Sequence, residues 1–513
     1  MNPRTFRIML ALLIGGILAL TCFLLNSRIP VEASPGVRYV APGGDCGGVT
    51  PCYSSVQAAV DAAAPGDEIR VAAGTYTGVQ NRPALNIPDY FTATQVVAIT
   101  KPVTIRGGYT TTNWNVSDPV ANPTTLDAQG AGRVFCIIGT QVTLEGLRVI
   151  SGNSAGLGGD QSWQGKLWNV GAGFYILSAT VAISNAEISN NTAPPGQSYE
   201  VNFGGGIYAR GSQIMLINSR ITGNRGDCTA GVYLRNASGS RILGNVFLNN
   251  SAGGGNCYTG GGLSVQGNDI LVEENTFSGN FAYGGGGLGV SGAVTVRGNS
   301  ITGNRAIHGG GLIIAGSAPI VVGNFIINNQ ANYVGGGICC YGGDPVLINN
   351  VVIGNQSGRG AGLFIGWDKC RAHLIHSTIA QNSGGNGTGV EVNNGIVVIT
   401  NTILVSQTVG ISVTAGNTVT VDSILWHNTP ITVSQATGSL VVVQRQYIGD
   451  PAFAADGYHI SRESAARDRG VDAGVTSDID GEVRVFGPAP DLGADEWIGD
   501  QRVYLPLVLR NYR

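Results

Sequence analysis

The sequence predicts an all-β fold: a right-handed, single-stranded parallel β-helix, or solenoid, of about a dozen coils with a capping helix at its N-terminal end. Two repeated phrases and one isolated helix signal carry this prediction. In the first phrase a Gly precedes an apolar residue, and it recurs ten times, mostly at steps of 24 to 27 residues. In the second phrase an apolar residue is followed three positions later by Asn. A fixed period in this range is typical of solenoids.

A single copy shows what one coil contains. Between Gly287 and Asn304, three short segments alternate apolar residues with polar or small ones, and turn residues separate them. Such segments predict three strands per copy and leave no room for a helix. We expect the apolar side chains to point inward and to stack on their equivalents one coil away, at the strand spacing of about 4.8 Å found in sheets.

The recurring Gly and Asn residues have a structural explanation. Gly allows a positive φ at a tight corner, and Asn tolerates the same left-handed region better than most residues. Stacked Asn side chains can also pass amide hydrogen bonds from coil to coil. The alternative is a row of Asn residues that binds a ligand, and Ser406 stands where the row expects its last Asn. The row comprises Asn191, Asn224, Asn250, Asn280, Asn304, Asn329, Asn355 and Asn382.

The N-terminal region predicts export. Arg4 and Arg7 precede the apolar run 8–25, and a small-residue cleavage site follows at Ala33. These features are typical of a signal peptide over residues 1–33, with an uncleaved membrane anchor as the alternative.

The segment 34–129 is expected to form the N-terminal cap and the first coils. The run 53–76 carries the one clear helix signal: Ser54 or Ser55 as cap, an apolar stripe, and an end at Pro65-Gly66. A helix at this position would cover the open apolar end of the solenoid, as such folds require.

Eight cysteines remain after the expected signal, an even number that favours an oxidising compartment. Cys46 and Cys52 are close enough for a local bridge. Two further pairs fall on adjacent coils, with buried free thiols as the alternative reading. These pairs are Cys228 with Cys257 and Cys340 with Cys370, whereas Cys136 and Cys339 have no evident partner.

Charge gives no reason to expect a nucleic-acid or anionic-membrane partner. Charged residues make up 12% of the chain and the net charge is −3. Membrane contact is therefore expected only through the N-terminal signal or anchor, and the oligomeric state is open.

The repeat phrases resemble a known family. Phe247-Leu-Asn-Asn250 and Phe277-Ser-Gly-Asn280, together with Gly-Gly-Gly-Leu, are similar to the repeats of chlamydial polymorphic outer membrane proteins. More broadly, residues 130–444 resemble bacterial β-helix proteins with the pectate-lyase-like, or pectin-lyase-like, fold. The resemblance implies that fold.

The segment 445–498 resembles the C-terminal part of the choice-of-anchor Q family. The phrases that carry the resemblance are 449–453, 464–470 and 491–496. It implies a secreted bacterial protein held at the cell surface by a variable tail, here residues 499–513.

Enzymes of the pectate-lyase-like fold carry clustered acids, often with Arg, on one sheet, and some use calcium. The densest polar region here contains two acids that are expected to be neighbours on adjacent coils, an arrangement that suits calcium or an acid pair. A salt-bridged coil surface is the alternative. The region comprises Asp344, Asp368, Lys369, Arg371 and His373.

A second acidic phrase contains Asp478 and Asp480, followed by Gly481. It is similar to part of a calcium loop, without the later ligands of an EF-hand. An acidic turn is the alternative, so the expectation is no cofactor, with calcium as the one ion considered.

Aromatic residues gather in the corner between the Asn and Gly phrases, where solenoids often carry function. Exposed rings there can stack on sugars or anchor a protein, and mutual packing of the rings is the alternative. The predicted ligand-binding residues are Trp163, Trp168, Tyr199, Tyr258, Tyr283 and Tyr333.

These observations predict a non-catalytic secreted or cell-surface protein that binds a polysaccharide or a surface protein in the manner of an adhesin. The first alternative is a polysaccharide lyase or glycoside hydrolase using the region around Asp344 and Asp368. The second is a structural spacer in the cell envelope.

Overall fold

A computed structural model describes residues 35–85, 91–161, 167–194, 202–253 and 257–499. The chain divides into two compact units, 1–36 and 37–513, and the second contains all the elements described below. The expected signal peptide, residues 500–513 of the expected tail, and the predicted binding residues Trp163 and Tyr199 lie outside the described residues. Within the described part of the chain, no helix is both long and apolar enough to cross a membrane.

The chain winds into stacked coils, which confirms the predicted all-β right-handed parallel β-helix. Each coil contributes one strand to sheet 1, a 14-stranded sheet that is parallel throughout except at its first strand. Its strands are Gln80–Asn81, Thr94–Ile99, Arg133–Ile138, Phe174–Leu177, Ile207–Arg210, Val232–Arg235, Leu263–Gln266, Leu288–Ser291, Leu312–Ala315, Ile338–Gly342, Leu363–Asp368, Thr388–Val392, Val409–Val413 and Ile431–Gln435.

From sheet 1 the chain turns into sheet 2. Strands of this sheet are Val37–Val40, Glu68–Ala72, Val103–Tyr109, Gln141–Glu145, Thr180–Ser184, Gln213–Ile217, Arg241–Leu243, Ile270–Glu273, Val294–Arg297, Ile320–Val322, Val346–Ile348, Cys370–Ile375 and Leu440–Val443, with Cys52–Tyr53 beside the first.

A second corner leads into sheet 3. Strands of this sheet are Gly74–Tyr76, Thr124–Asp127, Leu147–Ile150, Glu187–Ser189, Arg220–Thr222, Val246–Leu248, Thr276–Ser278, Ser300–Thr302, Phe325–Ile327, Val351–Ile353, Thr378–Ala380 and Gln446–Ile448. Two long strands, Gly395–Val405 and Thr418–His427, run through both sheets 2 and 3.

The middle coils contain a fourth strand, whereas the sequence predicted three. These short strands form sheet 4, in the corner that was expected to be a loop. They form because the residues after each ladder Asn are paired in register with the next coil, and because each strand buries a small side chain such as Ala306 or Ala331. Its strands are Arg225–Gly226, Ser251–Ala252, Phe281–Ala282, Arg305–His308, Gln330–Val334 and Gln356–Arg359.

Inward side chains of sheets 1 to 3 merge into one apolar core that runs from Val40 to Trp426. Residues at the same position in successive coils stack directly, and the rings of Phe247 and Phe277 lie 4.7 Å apart. Because a coil buries its apolar face only against its neighbours, the stack as a whole is the stable unit.

The Asn row is a buried ladder, as the structural interpretation predicted. The Nδ2 of Asn304 donates to Oδ1 of Asn329 on the next coil and to the carbonyl of Phe277 on the previous one, both at 3.0 Å. Asn304 is 0% exposed, so the ladder offers no surface to a ligand. Ile379 pairs with Leu404, which places Gln407 rather than Ser406 in the ladder position.

A second Asn ladder lies at the corner between sheets 2 and 3, and the sequence analysis missed it. Its members are Asn245, Asn275, Asn299, Asn324 and Asn350. In both ladders the left-handed residue is the one before the Asn, such as Gly298 or Asn328, and not the ladder Asn itself. The repeated Gly-Asn dipeptide is the sequence feature from which this second ladder could have been predicted.

The Gly of the first repeat phrase is required by close packing rather than by a positive φ. A Cβ added at Gly173 would lie 2.4 Å from the carbonyl oxygen of Gly206 and 3.1 Å from the side chain of Asn191. The backbone therefore approaches the ladder so closely that only Gly fits.

The helix α1 spans Val56–Ala62, with Ser55 as its N-cap accepting from the amide of Ala58 at 3.2 Å. Its buried residues Val56 and Val60 join the same core as the coils. The helix therefore caps the N-terminal end of the core as predicted, but it is shorter than the run 53–76 in which the sequence predicted it.

Residues 449–499 form no helix or regular strand and pack outside sheet 3 of the last coils. Corner residues hold this segment through side-chain hydrogen bonds. Asn349 Oδ1 accepts from Arg484 Nη2 at 2.7 Å, and Asn401 Oδ1 accepts from the amide of Val471 at 2.8 Å.

Candidate functional site

Three disulfides form between the cysteine pairs that the sequence predicted. They join Cys46 to Cys52, Cys228 to Cys257 and Cys340 to Cys370. Cys136 and Cys339 are buried free thiols, and burial raises the pKa of Cys136 to about 12. Such thiols are poor nucleophiles.

Six aromatic side chains meet over the outer face of sheet 1 in the middle coils, and we call them the aromatic platform. Four recur at 25-residue steps in the corner that leads into sheet 1, and two end strands of sheet 1. The first four are Tyr258, Tyr283, His308 and Tyr333, and the last two are Tyr341 and Trp367.

The rings form one contiguous cluster. His308 lies at its centre, with ring centroids 5.0 Å from Trp367 and 5.5 Å from Tyr333. Tyr341 links the two sides, because it lies 4.4 Å from Tyr258 and 5.1 Å from Trp367. Three of the predicted binding residues, Tyr258, Tyr283 and Tyr333, are thus brought together, whereas His308, Tyr341 and Trp367 were missed.

The platform has a buried base and an open rim. Outward residues of sheet 1 support it, among them Ile313, Cys339 and Phe364, which are all 0% exposed. Tyr333 at the rim is 50% exposed. A rigid base with accessible ring surface is suited to stacking contacts with a ligand.

His308 is a neutral polar group inside the platform. It is 5% exposed, and burial lowers its pKa, so the imidazole is uncharged at neutral pH. Its Nδ1 has no hydrogen-bond partner among the described residues. The ring can therefore both stack and donate or accept one hydrogen bond.

The backbone is strained where the platform meets the corner to sheet 2. Trp367 has a φ of 72° and Lys369 a φ of 32°, in the left-handed region that side-chain-bearing residues avoid. Asn394 Nδ2 donates to the Trp367 carbonyl at 2.7 Å and holds this turn. Side-chain-bearing residues at other corners of the solenoid, such as Asn328 and Ser406, also adopt this region.

A planar polar group adjoins the platform on the C-terminal side. Arg359 donates from Nε to Oε1 of Glu391 at 2.8 Å and from Nη2 to Oδ1 of Asn393 at 3.1 Å. The guanidinium carbon of Arg359 lies 5.3 Å from the ring centre of Phe364, which itself packs on Trp367. Glu391 is 2% exposed, and its Oε2 has no partner among the described residues.

The residues proposed for catalysis lie beside the platform, at the corner between sheets 1 and 2. Asp368 pairs in register with Gly342, two residues before Asp344, so the two acids are on adjacent coils as expected. Both are exposed, and no side-chain hydrogen bond or ion pair within the described ranges involves either carboxylate. Lys369 is exposed next to Asp368. Arg371 and His373 are exposed on the strand that follows in sheet 2.

The predicted binding residue Trp168 lies in a different place, on a hairpin formed by Gly159–Gln161 and Leu167–Asn169. Its ring packs on Phe203 at 5.2 Å, and the guanidinium carbon of Arg235 lies 5.3 Å from the Trp168 ring. Trp168 is half-buried among these neighbours, which matches the mutual packing that was the alternative for this residue.

The second acidic region is organised around a histidine. His459 contacts Asp456 through Nδ1 at 2.6 Å and Asp480 through Nε2 at 2.7 Å. Asp478 instead accepts backbone amides, from Asp480, Glu482 and Glu496. Burial disfavours the charged ring, but the bonds to Asp480 and Asp456 outweigh it and raise the pKa of His459 to about 9.

The acidic region also meets a geometric requirement for a cation. Carboxylate oxygens of Asp478, Glu482 and Asp495 lie within 4.8 Å of one another. The partners of Asp478 and Asp480 explain both residues without a metal, and calcium binding there stays a prediction.

The coils, ladders and corner loops together define the class of right-handed parallel β-helix proteins. The chain belongs to the right-handed β-helix family, whose sequence description matches residues 139–301 and 261–429. No curated protein sequence matches the chain. The finer resemblances to chlamydial polymorphic outer membrane proteins and to the choice-of-anchor Q family stay predictions.

Several solved structures are similar to the chain at low sequence identity. The periplasmic alginate epimerase AlgG is 12% identical, with 75% of this chain and 85% of that chain covered and a TM-score of 0.39. A mannuronic acid specific polysaccharide family 6 lyase from human gut microbiota is 11% identical, with 81% and 92% covered and a TM-score of 0.34. The Azotobacter vinelandii mannuronan C-5 epimerase AlgE6 A-module is 12% identical, with 77% and 94% covered and a TM-score of 0.34.

Proposed function

We propose that this chain is an extracytoplasmic β-helix protein that binds a polysaccharide across the aromatic platform. The observation that carries the proposal is that Phe364 joins the ring cluster of Tyr333, Tyr341 and Trp367 to a planar polar group. The Phe364 ring packs on Trp367 and under the guanidinium of Arg359, which is bound to Glu391 and Asn393.

Sugars present two kinds of surface, and this region matches both. Their axial C–H groups stack on aromatic faces, and their hydroxyl groups both donate and accept hydrogen bonds. The Arg359 guanidinium and the Asn393 amide are fixed planar groups that can meet neighbouring hydroxyls with little loss of side-chain entropy, because their mutual bond and the buried Glu391 already hold them in place. The buried base beneath the rings supplies that preorganisation.

The compartment in the proposal rests on the disulfides. Bonds such as Cys228–Cys257 and Cys340–Cys370 persist in oxidising surroundings and are rare in a reducing cytosol. The export signal expected over residues 1–33 would deliver the chain there.

Binding is tested with soluble polysaccharides on a glycan array, followed by calorimetry of the hits. We expect Trp367→Ala and Tyr333→Ala each to lower affinity about tenfold or more, since aromatic side chains that a ligand covers dominate binding energy. Phe486→Ala is the matched control, because that ring is 61% exposed in the C-terminal segment, away from the platform. Wild-type protein that binds no glycan would overturn the proposal and favour a structural spacer.

The second candidate is a polysaccharide lyase, hydrolase or epimerase. The similar structures are named as lyases and epimerases. It is supported by the position of Asp368 and Lys369, both exposed immediately after the strained Trp367. Asp344, Arg371 and His373 on neighbouring positions would complete such a site.

Product analysis separates the two candidates. A lyase generates an unsaturated, ultraviolet-absorbing end, a hydrolase generates reducing ends, and an epimerase changes the sugar signals in the NMR spectrum. Turnover that is lost in Lys369→Ala and Asp368→Asn, but kept in the control Glu273→Gln on sheet 2, would establish the enzyme. Binding without turnover favours the first candidate.

A further inference from the structure

We infer that the platform takes a neutral glycan and discriminates against a polyuronate chain. The inference rests on the proposed function and names the ligand class of the same site. Its basis is the charge around the rings and on the buried polar atoms beside them.

The coils that build the platform carry no cationic surplus. Residues 258–394 contain six Asp and Glu residues and five Lys and Arg residues. A chain of uronate units bears one negative charge per sugar and therefore needs a track of uncompensated cations, as other polyanion-binding surfaces have.

The cation of Arg359, which packs on Phe364 beside Trp367, is already neutralised. Arg359 is bound to the buried carboxylate of Glu391, and its remaining Nη2 contact is to Asn393. Replacing Glu391 by a ligand carboxylate would leave a buried charge without a partner, which is strongly unfavourable. The pair therefore stays intact and offers its outer edge to hydroxyl groups.

The charges at the corner between sheets 1 and 2 balance in number, although no ion pair joins them within the described residues. Lys369 follows Asp368 directly, and Arg371 follows two residues later, on the coil next to Asp344. Arg305 begins the strand that ends at His308 and is exposed on sheet 4, outside the ring cluster.

The buried polar atoms that lack a partner among the described residues act on a ligand through charge and not through direct contact. Oε2 of Glu391 is buried and carries negative charge, so it repels a carboxylate brought close to Arg359. Nδ1 of His308 is also buried and belongs to a neutral ring, so it supplies no compensating positive charge. Repulsion of this kind is an effective source of specificity.

Binding of matched neutral and uronate polysaccharides at low and high salt tests the inference. Wild-type protein should bind a neutral polymer with an affinity that salt hardly changes, at least tenfold tighter than any polyuronate. In Glu391→Gln the Arg359 charge is released, and we expect polyuronate affinity to rise about tenfold at low salt and to fall again at high salt. Glu273→Gln, which breaks the exposed ion pair with Arg297 on sheet 2, is the control.

The outcomes are distinguishable from failure of the proposed function. Tighter, salt-sensitive binding of polyuronate by the wild type would overturn the inference and leave polysaccharide binding in place. An unchanged preference in folded Glu391→Gln would also overturn it. If that variant does not fold, Asp368→Asn at the exposed rim shifts the charge in the same direction, and the same gain is expected. No binding of either polymer class would overturn the proposed function itself.

Discussion

Cys340 is bonded to Cys370 on the next coil, and their Cα atoms are 6.4 Å apart. Cys340 immediately precedes Tyr341, and Cys370 follows three residues after Trp367. The disulfide lies in the apolar core, so it fixes from below the two strand ends whose rings stack at 5.1 Å in the platform.

Loss of this disulfide should affect both stability and binding. Cys340→Ala with Cys370→Ala opens a 30-residue link, and we expect the free energy of unfolding to fall by about 3 to 4 kcal/mol on the chain-entropy account. Affinity for the glycan should fall several-fold, because the two rings lose their common anchor. Denaturant unfolding and calorimetry measure the two effects.

The control for that variant is Cys46→Ala with Cys52→Ala. Its link spans six residues, far from the platform, so a smaller stability change of about 2 kcal/mol is expected, with no change in affinity. A loss of affinity equal in both double variants would contradict a specific role for Cys340 and Cys370.

The ladder should be sensitive to single substitutions. Asn304→Ala removes the acceptor for the amide and Nδ2 of Asn280. It also removes the side-chain donor to the carbonyl of Phe277 and to Oδ1 of Asn329, which keeps only the backbone amide of residue 304. Because these groups are buried, we expect a loss of about 2 to 4 kcal/mol in the free energy of unfolding. Asn332→Ala, at an exposed position one coil on, should change it by less than about 0.5 kcal/mol. Equal effects of the two substitutions would refute the ladder's role.

Trp367 offers a test of backbone strain apart from binding. Its φ of 72° is easily adopted by Gly. Trp367→Gly should therefore be about 1 kcal/mol more stable than Trp367→Ala, although both lose the ring and bind glycan equally weakly. Thermal unfolding of the two variants provides the comparison, and a more stable Ala variant would show that this turn is not strained.

The solenoid could be predicted from the sequence because its signals are local and repeated. The period, the buried Asn ladder and the cap Ser55 all follow from residue types at fixed spacing. The fourth strand of the middle coils was missed, because two-residue strands such as Ser251–Ala252 look like turns in a Gly-rich sequence. Ser406 was wrongly assigned to the ladder position, because a single extra residue shifts the register of a coil without changing its composition.

The candidate site was only partly predictable, for a physical reason. Tyr258, Tyr283 and Tyr333 share a corner and a 25-residue step, so the pattern singled them out. Tyr341 and Trp367 reach the same cluster from the opposite edge of sheet 1, a proximity that depends on how the corner folds over the sheet. The contact between Arg359 and Glu391 likewise joins different coils, 32 residues apart.

The C-terminal segment should make the stability of the protein depend on pH. His459 is held between Asp456 and Asp480, and its pKa is raised to about 9 in the folded protein, against about 6.5 in an unfolded chain. Because the folded state binds this proton more tightly, the stabilisation is complete below pH about 6.5 and is lost as pH rises through about 9. With allowance for solvent screening, the loss is roughly 1 to 2 kcal/mol.

Denaturant unfolding across that range, with hydrogen exchange of residues 449–499, measures the effect. The free energy of unfolding and the protection of this segment should both fall as pH rises. His459→Gln should be less stable at low pH and should show a flatter dependence on pH, because it removes the titrating group. His373→Gln, at an exposed position of sheet 2, should keep the wild-type slope. Stability that rises from pH 6.5 to 9, or a His459→Gln slope identical to that of the wild type, would show that the two carboxylates do not hold a charged imidazole in place.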